Sequence, residues 1–402
     1  MMTLPKLPAK MKSRPVWAEV SISALTENLR AIRRYVNPPE EKRKAPRKIL
    51  SIVKGNAYGH GGPQVAKILE KAGSDWFGVT CTDEGIAVRK AGVRKPVLIL
   101  TGFVEGEEQR LVEHELTAVV HRCEQLAALE RAAARGGQRK RASFHLKMDT
   151  GMNRLGIAPK DVDCFARQLA KCKHLELGGV FTHFASSEVF ADSAAGRQTA
   201  EQEERFYAAL DRLRALGIDA GIVHLANSAA LVSRPETWAD MVRPGAVLYG
   251  YHPGYDPIER RAEIEARLPL RPVMSLRSRI INLRNVGAGT GVGYNATFVA
   301  KRDSRIGVIA AGYGDGIHRS LGNKGCVLVR EKLAPIVGIV SMDVTMIDLT
   351  DVPGAAVGDE VTIYGVAGRC QYPAHLVARS IGTVTSDLLC MVSARVPRFY
   401  VA

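Results

Sequence analysis

An α/β chain, with an N-terminal (β/α)8 barrel of the TIM type and a C-terminal mostly-β domain, is the fold class this sequence predicts. Three observations predict it. Between about residues 49 and 245, short apolar runs rich in β-branched residues alternate with longer stretches of helical periodicity. The runs number eight, as a closed parallel barrel requires. Beyond about Leu270 the helical period largely disappears, and short runs separated by Gly and Pro take over.

The runs read as barrel strands are Ile49–Val53, Trp76–Thr80, Val97–Leu100, Thr117–His121, Ser143–Met148, Leu177–Thr182, Ile222–Ala226 and Ala239–Arg243. Between them, Gln64–Lys71, Asp83–Lys90, Glu124–Arg135 and Gln198–Leu216 are amphipathic, each able to cover a barrel face. An open doubly wound sheet would show the same alternation. However, the glycines at 287, 289, 291 and 293, and those at 312, 314 and 316, recur every second residue, so neither cluster completes a dinucleotide-binding G-x-G-x-x-G. The charged, Pro-bearing stretch from Tyr255 to Pro272 reads as a surface connection. Beyond it, strands are expected at Ser278–Val286, Arg305–Ala310, Cys326–Arg330, Ile336–Val340 and Glu360–Tyr364. The domains are therefore drawn at 22–265 and 266–402, after a flexible tail at 1–13.

Composition narrows the function class. At 402 residues the chain exceeds the size of a single core, and 46% apolar with 24% charged residues is ordinary globular material. A net charge of +15 raises the question of nucleic acid. Its patches, Lys42-Arg43-Lys44, Arg47-Lys48 and Arg139-Lys140-Arg141, have no interleaved aromatics to stack on bases, so they read as solvated loops. Seven cysteines without a C-x-x-C pair suit reduced thiols and a cytoplasmic home. Neither the first fifteen residues nor any later stretch has the ~20 apolar residues of a membrane span. No H-E-x-x-H or close Cys/His set points to a metal.

The first distinctive motif is Ile52-Val53-Lys54-Gly55-Asn56-Ala57-Tyr58-Gly59-His60-Gly61, at the end of a predicted strand, where barrels place their active sites. Further motifs are His145 to Gly156 (HLKMDTGMNRLG), Thr182-His183-Phe184-Ala185, His224 to Ala230 and Val242-Arg243-Pro244-Gly245. Gly293 to Phe298, Gly312 to Gly316 and Ser341-Met342-Asp343 follow. In this order, from about residue 14 to the C-terminus, they resemble the alanine racemase family.

That resemblance implies pyridoxal phosphate as cofactor, interconversion of L- and D-alanine, and supply of D-alanine for peptidoglycan. It also implies that a first strand near Val16–Val20 joins the β domain, and that a homodimer shares its active sites. Lys54 would carry the cofactor and act on D-alanine's α-proton. Tyr294, reaching in from the second subunit, would act on that of L-alanine. Free amines and phenols titrate near 10, so neighbouring cations must lower both. By family likeness Arg243 faces the pyridine nitrogen, His224 contacts Arg243 and His183 packs near the ring. Tyr58, Asn227, Ser228, Gly245 and Ala246 would hold the cofactor, chiefly at its phosphate. Arg154 would pair with the substrate carboxylate, supported by Lys147, which many relatives carbamylate. The backbone of Met342, again from the second subunit and with Asp343 beside it, would line the substrate pocket.

Two positions depart from the family pattern. Ser386, in Thr383-Val384-Thr385-Ser386-Asp387, stands where the family usually has a tyrosine that narrows the entrance, and Asn153 stands where glycine is commoner. The first leaves open a serine or broad-specificity racemase of the same fold. A non-catalytic pyridoxal-phosphate carrier, or a lyase or decarboxylase on this barrel, are further alternatives.

Overall fold

The computed structural model describes residues 14–136 and 141–402. The expected tail at 1–13, and Arg139 and Lys140, lie outside the described residues. Two compact units emerge. One comprises Leu25–Ala57 and Gly62–Leu270; the other takes the described part of Met1–Ala24, Tyr58–Gly61 and Arg271–Ala402.

The chain opens on β1 (Val16–Ser21), which belongs to the second of these units. The barrel unit then contributes β2 (Lys48–Ile52), β3 (Trp76–Val79), β4 (Val97–Ile99), β5 (Thr117–Val120), β6 (Ala142–Lys147), β7 (Leu175–Phe181), β8 (Ile222–His224) and β9 (Met241–Val242). All eight expected runs are strands. They pair in parallel in the order β8-β7-β6-β5-β4-β3-β2-β9. Between the ends of this path, the Asp240 and Arg243 amides donate to the carbonyls of Val223 and Ala226, each at 3.0 Å, and draw the sheet round on itself. Ile49, Leu50, Phe77, Leu98, Val119, Phe144 and Val180 are fully buried, as expected of strands covered on both faces. The four expected helices form as Gly62–Lys71, Thr82–Lys90, Glu124–Arg135 and Ala194–Ala215.

The other unit is built on β10 (Met274–Val286), β11 (Gly291–Val292), β12 (Phe298–Val299), β13 (Ser304–Ile309), β14 (Cys326–Val329), β15 (Lys332–Pro335), β16 (Thr345–Asp348), β17 (Glu360–Ala367), β18 (Cys370–Tyr372) and β19 (Arg398–Val401). β1 lies between β10, antiparallel, and β19, parallel.

Two expectations need correction. The run Ile336–Val340 is not a strand: β15 precedes it, and the register Val329↔Lys332 leaves a two-residue turn in which Arg330 (φ 47°) and Glu331 (φ 63°) are both left-handed. Ile336 makes a single antiparallel bridge to Ile347 and the Val337 amide donates to the Met346 carbonyl at 3.0 Å, but the buried run forms no continuous strand. The stretch after Tyr255 is likewise more than a surface link, since it contains the helix Arg261–Ala266, and Ile264 and Leu268 are buried. Part of the basic stretch is also structural: Arg47 is buried, forks onto Glu41 at 2.5 and 2.6 Å, and lies over Trp238.

Candidate functional site

The residues singled out in the barrel sit where its strands stop. Lys54 follows β2 by two residues, Lys147 ends β6, His183 follows β7 by two, His224 ends β8 and Arg243 follows β9. Past Lys54 the backbone turns left-handed for four residues, Gly55 (φ 60°), Asn56 (54°), Ala57 (55°) and Tyr58 (52°). For a non-glycine residue that conformation costs about 1–2 kcal/mol, so something must impose it. Glu84 does: Oε1 accepts from the Gly55 amide at 2.7 Å and the Asn56 amide at 3.3 Å, while Oε2 accepts from Thr80. Asn56 Oδ1 in turn accepts from the Gly62 amide at 2.7 Å.

Arg243 is buried and tightly aimed. Its guanidinium donates to the carbonyls of His224 (2.9 Å), Thr182 (2.8 Å) and Leu225 (2.7 Å), and lies against His224 Nδ1 (3.2 Å) and His183 Nδ1 (3.4 Å). Burial pushes it down to about 9, which leaves it charged at neutral pH. His183 is held well below the ordinary imidazole range by burial and by Arg243, Lys147, Arg154 and Lys54 together. Four cations thus converge on one imidazole. Two of the four, Arg243 and Lys147, are buried, and buried positive charge calls for anionic partners.

Lys147 is 5% exposed, and its amine is pushed down to about 8, first by burial and then by Arg154 and Arg243. An unfolded lysine titrates near 10.4, so from about pH 8 to 10.4 the unfolded chain binds more protons and folding strengthens as pH rises, by on the order of 3 kcal/mol. In urea denaturation of the cofactor-free chain, the stability of wild type relative to Lys147→Met is expected to climb across that window. A difference that stays flat with pH defeats the assignment.

The loop after β6 carries Arg154. Asp149 Oδ1 accepts from the amides of Gly151 (3.1 Å) and Asn153 (3.0 Å), curling the loop back on itself. Asn153 has φ 57°, a conformation asparagine tolerates better than other side chains, so its departure from glycine preserves the turn.

After β8, Asn227 rather than Ser228 caps the helix Ser228–Ser233: its Oδ1 accepts from the amides of Ala229 (3.1 Å) and Ala230 (3.0 Å). The Ser228 hydroxyl is therefore left for other duty, and it accepts from the Gly245 amide at 2.8 Å. The amides of Ser228 and Ala246 each open a helical turn, where no intrahelical acceptor exists. Hydroxyl and amides together form a donor set suited to a phosphate.

In the other unit, Tyr294 is 66% exposed. Its turn is bent by Gly293 (φ 77°) and Asn295 (φ 58°) and flanked by Val292 and Phe298, which pack with Ile306, Val337 and Met346. A rigid platform thus presents a bare phenol to solvent. Met342 is also exposed, its carbonyl accepting from the Gly314 amide at 2.9 Å and from Arg395 at 3.3 Å. Asp343 pairs with Arg14 (3.3 Å) and Arg395 (2.9 Å), both of which also reach the buried Asp315. Tyr58 groups with this unit, and burial pushes its phenol up to about 12. Ser386 lies half-buried on the short helix Thr385–Cys390.

Sequence reasoning missed Glu84, which imposes the turn after Lys54, and the participation of His145 described below. Glu84 has no motif of its own. His145 was quoted inside the Lys147 motif, but nothing local marks its ring as reaching another strand.

Residues 20–253 match the family model described as alanine racemase, N-terminal domain, and residues 273–400 the one described as alanine racemase, C-terminal domain. The chain is 41% identical to an alanine racemase of Geobacter sulfurreducens, covering 97% of this chain and 98% of that one. It is 36% identical to one of Methanococcus maripaludis, covering 97% and 100%. Among solved structures it is similar to the alanine racemase of Bacillus anthracis with bound L-Ala-P, at a TM-score of 0.86 and 32% identity over 98% and 96% of the two chains. It is also similar to the biosynthetic alanine racemase of Pseudomonas aeruginosa, at 0.82 and 34% over 97% and 100%.

Proposed function

This chain belongs to the alanine racemase family, and from that premise we propose that it interconverts L- and D-alanine, supplying D-alanine for peptidoglycan. Its cofactor is pyridoxal phosphate, as in the family. One observation carries the reading to this barrel's own residues: Arg243, Lys147, Arg154 and Lys54 all act on His183 at the ends of its strands. A phosphate and a substrate carboxylate are the anions that would balance them.

When bound, pyridoxal phosphate withdraws electrons from the substrate's α-carbon and so makes its proton removable. Lys54 would hold the cofactor, and its Nζ would take or return the proton on the D side. Tyr294 Oη would do the same on the L side. Arg243, fixed by three carbonyls and braced by His224, would face the ring nitrogen, and His183 would pack beside the ring. The Ser228 hydroxyl and amide, with the Ala246 amide, would receive the phosphate, the Gly245 amide bracing that hydroxyl. Tyr58 adds its phenol, and Asn227 acts mainly by capping the helix that positions Ser228. Arg154 binds the carboxylate with Lys147 behind it. The backbone of Met342 of a second copy of the chain, anchored through Asp343 and Arg395, would line the pocket.

The phenol comes from a second copy of the chain, in a homodimer with shared sites. The exposure of Tyr294 on an anchored turn supports this. A cytoplasmic setting suits the seven free cysteines; none of the described helices is long and apolar enough to cross a membrane.

The test is incubation with pyridoxal phosphate and L-alanine in deuterated water, with serine, lysine and arginine in parallel. D-alanine should accumulate with deuterium at the α-carbon. Serine turning over faster than alanine would transfer the substrate assignment, an outcome that Ser386 favours. Cofactor binding without deuterium exchange would leave a carrier, a reading that the match over residues 273–400 opposes. A shrinking amino-acid pool would instead indicate a lyase or decarboxylase.

A further inference from the structure

Behind Arg243 the barrel interior holds two histidines in series. His224 Nδ1 lies 3.2 Å from the Arg243 Nη1, and His224 Nε2 lies 3.0 Å from His145 Nδ1. Both imidazoles are fully buried, and burial lowers both, His145 to about 3 and His224 well below the ordinary range, so both are neutral. A neutral imidazole donates at one nitrogen and accepts at the other, whereas a guanidinium can only donate. The tautomers follow without choice. His224 Nδ1 must accept from Arg243, so its proton is on Nε2. That N–H donates to His145 Nδ1, so the His145 proton is on Nε2.

The arrangement requires space that side chains would fill. A Cβ at Gly179 would fall 2.7 Å from His145 Cε1 and 2.8 Å from its Nδ1, so glycine on β7 admits the ring. On the other side, the ring of Phe181 stacks on His224 at 4.6 Å and 12°, which fixes the plane of the middle imidazole. His145 Nε2 is buried with no hydrogen-bond partner among the described residues, and Trp76 lies at 5.0 Å between ring centroids. An orphaned buried N–H carries a desolvation cost of about 1–3 kcal/mol, which an apolar residue at 145 would avoid. The fold retains the cost and obtains two aligned dipoles, each with its acceptor end toward the guanidinium.

We propose that His145 is a positioning residue: it selects the His224 tautomer that accepts from Arg243, and thereby holds the guanidinium in its working orientation. The proposal rests on the reading that Arg243 faces the cofactor ring. Without an acceptor at 145, the His224 Nε2 proton is left unpaired in the interior, and only the Arg243 contact then opposes its move to Nδ1. Aligned hydrogen bonds also polarise one another, so loss of the distal one weakens the proximal one.

The experiment uses the full-length protein loaded with pyridoxal phosphate, as wild type, His145→Leu and His145→Asn. Asparagine can place an amide oxygen near the position of Nδ1. Nitrogen-15 NMR of the imidazoles should find the His224 proton on Nε2 in wild type. In His145→Leu it should shift at least partly to Nδ1, with the bound cofactor's absorbance altered, kcat down about tenfold and KM within about twofold, the size expected for one charge-assisted hydrogen bond. His145→Asn should restore all three. A wild-type His224 proton on Nδ1 overturns the proposal even if neither variant folds. So does a loss of kcat in His145→Leu with an unchanged His224 tautomer, since that marks a packing role. If the loaded wild type does not racemise alanine, the proposed function fails, while the His224 tautomer in the same sample still decides the relay.

Discussion

Tyr294→Phe is expected to lower racemisation by about 10²–10⁴-fold, the range for removing one positioned proton-transfer group. The loss should be lopsided. In deuterated water, α-proton exchange from L-alanine should fall further than exchange from D-alanine, because the phenol serves the L side and Lys54 the D side. Stability should hardly change, within about 0.5 kcal/mol, since the side chain is 66% exposed and only its oxygen is removed. This separates a chemical role from a structural one. Mixing Tyr294→Phe with Lys54→Ala subunits adds a second check: if the site is shared, heterodimers recover one intact pair of bases. Equal and undiminished exchange of both enantiomers would end the assignment.

Lys54→Ala should be the more damaging change, eliminating both the covalent attachment of the cofactor and the D-side proton carrier, with activity falling by at least about 10⁴-fold. The turn beyond it should persist, because Glu84 holds that turn through backbone amides rather than through the lysine. Borohydride reduction followed by peptide mapping gives an independent readout. Wild type should carry the pyridoxyl label on Lys54, and the variant should carry none there. The competing amine is Lys147, which is buried and pushed down to about 8. Label on Lys147 in wild type would exchange the two roles.

The barrel was legible because its signal is local. β-branched runs and amphipathic stretches announce themselves within ten residues or so, and all eight runs became strands, differing at their ends by a few residues at most. The failures were local too. Ile336–Val340 has strand composition, but a left-handed pair at Arg330 and Glu331 had already closed the hairpin upstream. No Asn-Gly or Asp-Gly marks that turn, so nothing in the residues announced it. The helix Arg261–Ala266 was hidden by its charges, two pairs of which, Arg261–Glu265 and Glu263–Arg267, are spaced i,i+4 along it.

By itself the sequence determined the order of strands and helices, the change of period near residue 270, and which residues lie at the strand ends: these depend on neighbours along the chain. Only the tertiary structure decided which of those residues meet and in what state. His145 and His224 are 79 positions apart, and Arg243 and Thr182 61, yet each pair is hydrogen-bonded inside one barrel. Protonation was decided there as well. Burial, which no local pattern encodes, is what neutralises both histidines and pulls the Lys147 amine toward neutrality, and directional bonding to a donor-only guanidinium then leaves each ring a single tautomer.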